Sequence, residues 1–280
     1  PHTAFAEPFG SGLLKMIAVG LGKAPAAAQI HRQGPAAMGA AIEAIAEVAI
    51  GSRKILGGLA IIENAYDETA RIAAIAPDAM PQQEQVLFRE ARALMPSLPV
   101  DALDVLIVDE VGKNFSGTGM DVNVIGRWRL PGMAEPAAPV IQRIVALSLS
   151  AESEGNAQGI GLADVVTRAL ADAIDPVATY VNTLVSTYLQ RAFVPVTMPT
   201  DRDAVEAALA SLNLADPADA RVVRIPNTLH LEECEVSESL VPELRTRSGV
   251  TVGRVEPMTF LQDGSLARFQ APSPKPQAHE

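Results

Sequence analysis

Two short apolar runs, each closed by polar side chains, constrain this chain more than anything else in it. Leu59-Ala60-Ile61-Ile62 ends in Glu63-Asn64, and Leu103-Asp104-Val105-Leu106-Ile107-Val108 ends in Asp109-Glu110. Apolar runs this short read as strands buried in a sheet. Helical patterns flank them. Met38, Ile42, Ile45 and Ala49 form one stripe of residues 36–50, with Glu43 and Glu47 off it and Gly51 and Gly57 as stops. Leu87, Ala91, Leu94 and Met95 mark a second helix, closed by Pro96 and Pro99. Strand, helix and strand in that order indicate right-handed crossovers and an α/β fold, a largely parallel sheet with flanking helices. Ligands of such sheets sit beyond the carboxyl ends of the strands, which places Glu63, Asn64, Asp109, Glu110 and the following loop along one edge.

Further along, residues 140–149 are a third β-rich run. Two helices are expected over residues 160–174 and 176–192, the second with Asp175 as N-cap and Pro176 at its first position. The texture changes near residue 193, where Pro195 and Pro199 lead into a helix at 202–212 and short β-like pieces at 221–225 and 250–252. The reading is an α/β region over residues 1–192, a smaller C-terminal α+β segment over 193–270 packed on the sheet, and a frayed, proline-rich tail over 271–280.

Of the 280 residues 48% are hydrophobic and 20% charged, enough for one large core or two modest ones. A formal net charge of −11 repels nucleic acid phosphates over most of the surface, so small molecules are the expected partners. Cys234 is the only cysteine, which excludes an internal disulfide framework and any multi-cysteine metal site built by this chain alone, and fits a reducing cytoplasm. No apolar run reaches the roughly 18 to 20 uninterrupted residues of a membrane span, and no signal core opens the chain. The chain starts at Pro1 without an initiator methionine and reads as the downstream part of a longer protein whose upstream domain is missing.

Chemistry concentrates in three stretches. Lys15 sits in Ser11-Gly12-Leu13-Leu14-Lys15-Met16-Ile17-Ala18-Val19-Gly20-Leu21-Gly22-Lys23, a cation where packing alone calls for a methyl group. An amine in apolar surroundings loses the hydration that favours its charged form and becomes a nucleophile or acyl acceptor near neutral pH. A lysine whose stem lies over an apolar face is the plainer alternative. His31 follows sixteen positions later, one of four histidines; a neutral imidazole suits nickel, zinc or copper but needs further donors, and no protein cluster supplies them. Gly20-Leu21-Gly22-Lys23 lacks the hydroxyl residue and spacing of a phosphate loop, because Ala24 follows the lysine. Gly112-Lys113-Asn114-Phe115-Ser116-Gly117-Thr118-Gly119-Met120-Asp121 follows a buried strand and mixes one cation with two hydroxyls, a composition that clamps a carboxylate. Gly155-Asn156-Ala157-Gln158-Gly159-Ile160-Gly161 is a third glycine loop, read as structural or as a support behind the residues that touch a ligand.

Taken in order, Pro1-His2-Thr3, residues 11–16, Gly20–Lys23, residues 63–69, residues 108–114 and residues 116–121 resemble the nickel-pincer lactate racemase family and its 2-hydroxyacid racemase and epimerase relatives. The resemblance spans roughly residues 1–190. It implies a lysine joined as a thioamide to a pyridinium mononucleotide whose two sulfurs and one ring carbon hold nickel, with a histidine as fourth ligand. Lys15 is then the anchor and His31 the metal ligand. His2 is implied as an acid/base residue, Lys113 as the partner of the substrate carboxylate, and Ser116 and Thr118 as hydrogen-bonding neighbours. The implied reaction takes the carbon-bound hydrogen of a small 2-hydroxy acid as hydride and returns it to either face of a transient 2-keto acid. The upstream domain of that family, with its paired histidines and arginine contacts, is not in this sequence, so the fragment alone is expected to be inactive. Ala24–Ala28 also departs from the polar stretch expected there. A non-catalytic ligand-binding domain and a Schiff-base lysine enzyme, which needs Lys15 but not His31, remain the alternatives.

Overall fold

The computed structural model describes residue 10, residues 12–66 and residues 68–269. His2 and the tail after residue 269 lie outside the described residues. The fold is α/β. Its centre is a six-stranded sheet in the order β6-β5-β4-β3-β7-β8, built from β3 (Ala102–Val111), β4 (Val140–Leu149), β5 (Val165–Thr167), β6 (Val196–Met198), β7 (Val222–Ile225) and β8 (Glu235–Val236). All neighbouring pairs are parallel except β7 with β8.

Period-two alternation assigns the strand residues to two cores. Leu106 and Val108 of β3, Ile144 and Ala146 of β4 and Val223 and Ile225 of β7 face one core; Val105, Ile107, Val145 and Leu147 face the other. Both faces are therefore covered, as continuous apolar strands require. On the first face lie Leu170 of α5 (Arg168–Asp172) and Leu240 and Leu244 around α8 (Val241–Leu244). The second face is covered by Ala204, Val205 and Ala208 of α7 (Asp201–Ala210), whose start is fixed by a reciprocal cap between Thr200 and Asp203.

A third core gathers the N-terminal elements: α1 (Leu13–Lys15), a π-helix (Met16–Leu21), α2 (Lys23–His31), α3 (Met38–Gly51), a hairpin of β1 (Gly58–Glu63) and β2 (Thr69–Ile75), and α4 (Met80–Ala93). Leu14, Ala18, Ile30, Met38, Ile42 and Met80 are its buried centre. Here the structure corrects the sequence reading. The run ending in Glu63 pairs antiparallel with β2 in a separate two-stranded sheet, so it does not share an edge with Asp109. Asn64 instead closes the hairpin, its side-chain oxygen accepting the N–H groups of Tyr66 and Glu68. β2 is hard to recognise because Thr-Ala-Arg-Ile-Ala-Ala-Ile is alanine-rich, and alanine carries little strand preference.

The expected helix over 160–174 is replaced by a single 3-10 turn at Ile160–Leu162, strand β5 and the short α5. α6 (Pro176–Ser186) starts as expected, with Asp175 Oδ1 accepting from Val177 and Ala178, and ends at Thr187 in the left-handed region. The strands of residues 193–269 form no sheet of their own: β6 and β7 are parallel members of the central sheet, on opposite sides of β3. Among the described residues no single helix is long and apolar enough to cross a membrane.

Candidate active site

The site begins at a bend. Along a straight helix the sixteen residues from Lys15 to His31 would separate them by about 24 Å. Instead the helices Leu13–Leu21 and Lys23–His31 meet at 112°. Two local features make the bend. A Cβ on Gly22 would lie 2.5 Å from the Ala18 carbonyl oxygen, so only glycine fits, and Lys23 takes a positive φ of 55°. Upstream, Glu84 of α4 accepts the N–H of Leu14 at 2.7 Å and anchors the start of the helix that carries Lys15. Lys15 is followed at once by the π-helix, a widened geometry frequent at functional sites.

Lys15 and His31 consequently line one cavity of about 320 Å³. One wall is apolar and belongs to the third core: Val19, Ile30, Met38, Ile42 and Leu130. The other comes from connections beyond the carboxyl ends of the strands: Gly117 and Thr118 after β3, Gln158 after β4, and Asn182, Tyr188 and Arg191 after β5. These connections stack tightly, since a Cβ on Gly159 would overlap the Thr118 carbonyl.

Among the described residues no aspartate or glutamate lines the cavity. Burial pulls the Lys15 amine below its ordinary range. His31 is lowered by burial and then by the charges of Lys15 and Arg191, so its imidazole is neutral at pH 7. Lys113 is brought down to about 8 by burial and then by Arg191. Three buried polar atoms of cavity residues have no hydrogen-bond partner among the described residues: His31 Nδ1, Tyr188 Oη and Arg191 Nε. The His31 and Tyr188 rings meet edge to face at 5.9 Å. No family model, curated protein or solved structure matches the chain. The site is thus read from its own geometry.

Of the residues expected from sequence, Lys15, His31 and Thr118 line the cavity. Lys113 and Ser116 do not. The Lys113 amine gives its protons to Gly117 O, Gln158 Oε1 and Asn182 Oδ1 at 2.6, 3.1 and 3.2 Å. It knits two loops to α6 immediately behind the cavity wall. Ser116 is buried beneath the loop, 3.5 Å from the Thr118 hydroxyl. Thr118 in turn donates to Met120 O. Gly20 and Gly22 belong to the π-helix and the bend and form no phosphate loop. Asp109 is tied by Arg224 through two hydrogen bonds of 2.7 Å. Tyr188 and Arg191 do not stand out in the sequence, because residues 176–192 read as one amphipathic helix in which a terminal cation is ordinary. Their one signal is a tyrosine and an arginine three apart in a stretch without acids.

Proposed function

We propose that this chain is part of a racemase or epimerase of small 2-hydroxy acids, with Lys15 as the covalent anchor of a nickel-pincer pyridinium mononucleotide and His31 as the protein ligand to its nickel. The observation that carries this reading is the convergence of Lys15 and His31 on one cavity, with His31 Nδ1 buried and unpartnered among the described residues. The residues fit such a group. A buried lysine of lowered basicity is suited to acylation, and a neutral imidazole has a lone pair to give.

When bound, that group supplies a hydride acceptor for the substrate's carbon-bound hydrogen. The chain does the rest. Val19, Ile30, Met38 and Ile42 exclude water from one side of the cavity. Burial raises the Tyr188 phenol above its ordinary value, so it stays protonated and donates a hydrogen bond to a ligand oxygen. Lys113 and Arg191 hold a positive field where a carboxylate must lie. Acid/base work at the substrate hydroxyl is assigned by resemblance to His2, outside the described residues.

Intact-mass measurement of the full-length protein, produced together with cofactor-making enzymes, is expected to show a covalent adduct that disappears in Lys15→Ala, and nickel that is lost in His31→Ala. Unmodified, nickel-free protein sinks the reading and favours a non-catalytic binding domain. The lowered basicity of Lys15 beside an apolar wall also supports a Schiff-base enzyme. A borohydride-trapped adduct with a carbonyl compound that persists in His31→Ala decides for that second reading.

A further inference from the structure

Arg191 poses a problem that the proposed function leaves unsolved. The residue is 7% exposed, yet among the described residues no carboxylate forms an ion pair with it. Its polar contacts are one hydrogen bond from Nη2 to the Trp128 carbonyl at 2.9 Å and the face of the Tyr188 ring, 5.1 Å from its central carbon. Its Nε is buried and has no partner among the described residues. Glu135 lends some field, but its oxygens accept the N–H groups of Trp128 and Arg129. A buried guanidinium whose Nε finds no partner among the described residues is costly unless an anion completes it.

The surroundings sharpen the point. Lys15 lines the same cavity, Lys113 stands behind it, and no acid among the described residues lines it, in a protein whose net charge is −11. Lys113 cannot meet an anion without giving up one of its three hydrogen bonds. Arg191 Nε and Tyr188 Oη, on two residues that line the cavity, have no hydrogen bond among the described residues to give up.

We infer that Arg191, and not Lys113, is the residue that receives the ligand's oxyanion in this cavity, with the Tyr188 hydroxyl as the adjoining donor. The guanidinium fork matches the paired oxygens of a carboxylate or a phosphate. Both sources share this chemistry: the carboxylate of a hydroxy acid, and the phosphate of a nucleotide-like group. The inference rests on the cavity being a ligand site and not on what is joined to Lys15, so it is tested on protein made without the cofactor.

The probes are inorganic phosphate and D- and L-lactate, with chloride at matched ionic strength as control. Trp128, the only tryptophan, is the reporter, since its carbonyl holds Arg191. Phosphate, lactate or both are expected to change its fluorescence saturably where chloride does not, and which of them does so identifies the source. Arg191→Gln should raise the dissociation constant tenfold or more, and Arg191→Lys by less. If Arg191→Gln does not fold, protection of Arg191 from phenylglyoxal by the same anions in the unaltered protein, read by peptide mass, takes its place. Equal affinity in a folded Arg191→Gln, a response no greater than to chloride, or no protection overturns the inference. Absence of a mass adduct at Lys15 would leave it standing.

Discussion

A single missing methyl group decides whether the two central side chains of the site meet. Gly22 sits where a Cβ would press on the Ala18 carbonyl at 2.5 Å and on Ala26 Cβ at 2.4 Å, so Gly22→Val must open the bend between the π-helix and α2. Overpacking of this kind costs about 1–3 kcal/mol. Urea denaturation should show that loss, together with a weaker Trp128 response to anions; a variant of unchanged stability would mean that the bend tolerates a side chain. Lys15 is legible in the sequence because it is a chemical misfit, a cation in an apolar run, and His31 because it is one of four histidines and stands sixteen positions after that lysine, as the resemblance implies. Arg191 is not, because an arginine is exceptional only when it is buried without a carboxylate, and burial is a property of what surrounds it.

The central strands show the same division one level up. β3 and β4 are evident as continuous apolar runs, and their burial on both faces follows from that composition. Pairing is not evident. β1 carries an equally apolar run but pairs antiparallel with β2, a choice fixed by the hydrogen bonds of Asn64 to Tyr66 and Glu68 and not by hydrophobicity. The short β5 is hidden because three residues between an acid and a helix carry too little pattern to read. Asp109, expected at the ligand edge, closes a buried ion pair that joins β3 to β7: burial pushes its carboxyl up and the Arg224 guanidinium pulls it back. Removing one partner of such a pair leaves an uncompensated charge at a cost of about 3–5 kcal/mol. Because Glu235 still reaches Arg224 at 2.9 Å, Asp109→Ala should fall at the lower end of that range in urea denaturation, with the anion response retained. A change below about 1 kcal/mol would show that the pair does not hold the two strands together.

Across the whole molecule, an acidic chain encloses a cavity that cations line and, among the described residues, no acid does. That contrast has a pH signature. The Lys113 amine loses its proton near pH 8, so its attraction for an anion is present below that value and lost above it, while Arg191 stays charged throughout. Lactate affinity, followed through Trp128, should therefore fall between pH 7 and pH 9, and Lys113→Met should flatten that fall. A pH-independent affinity in the unaltered protein would remove Lys113 from the electrostatics of the site. By itself, the sequence determined what local pattern can encode: an α/β chain, its two longest strands, the helix cap at Asp175, and an amine out of keeping with its neighbours. The tertiary structure decided what depends on contacts between distant residues: the antiparallel hairpin, the place of β7 beside β3, and the gathering of Lys15, His31, Tyr188 and Arg191 around one space. The reason is physical, since periodicity and propensity act within a turn or a strand, whereas desolvation and the lack of a counter-charge exist only once the chain has closed around a group.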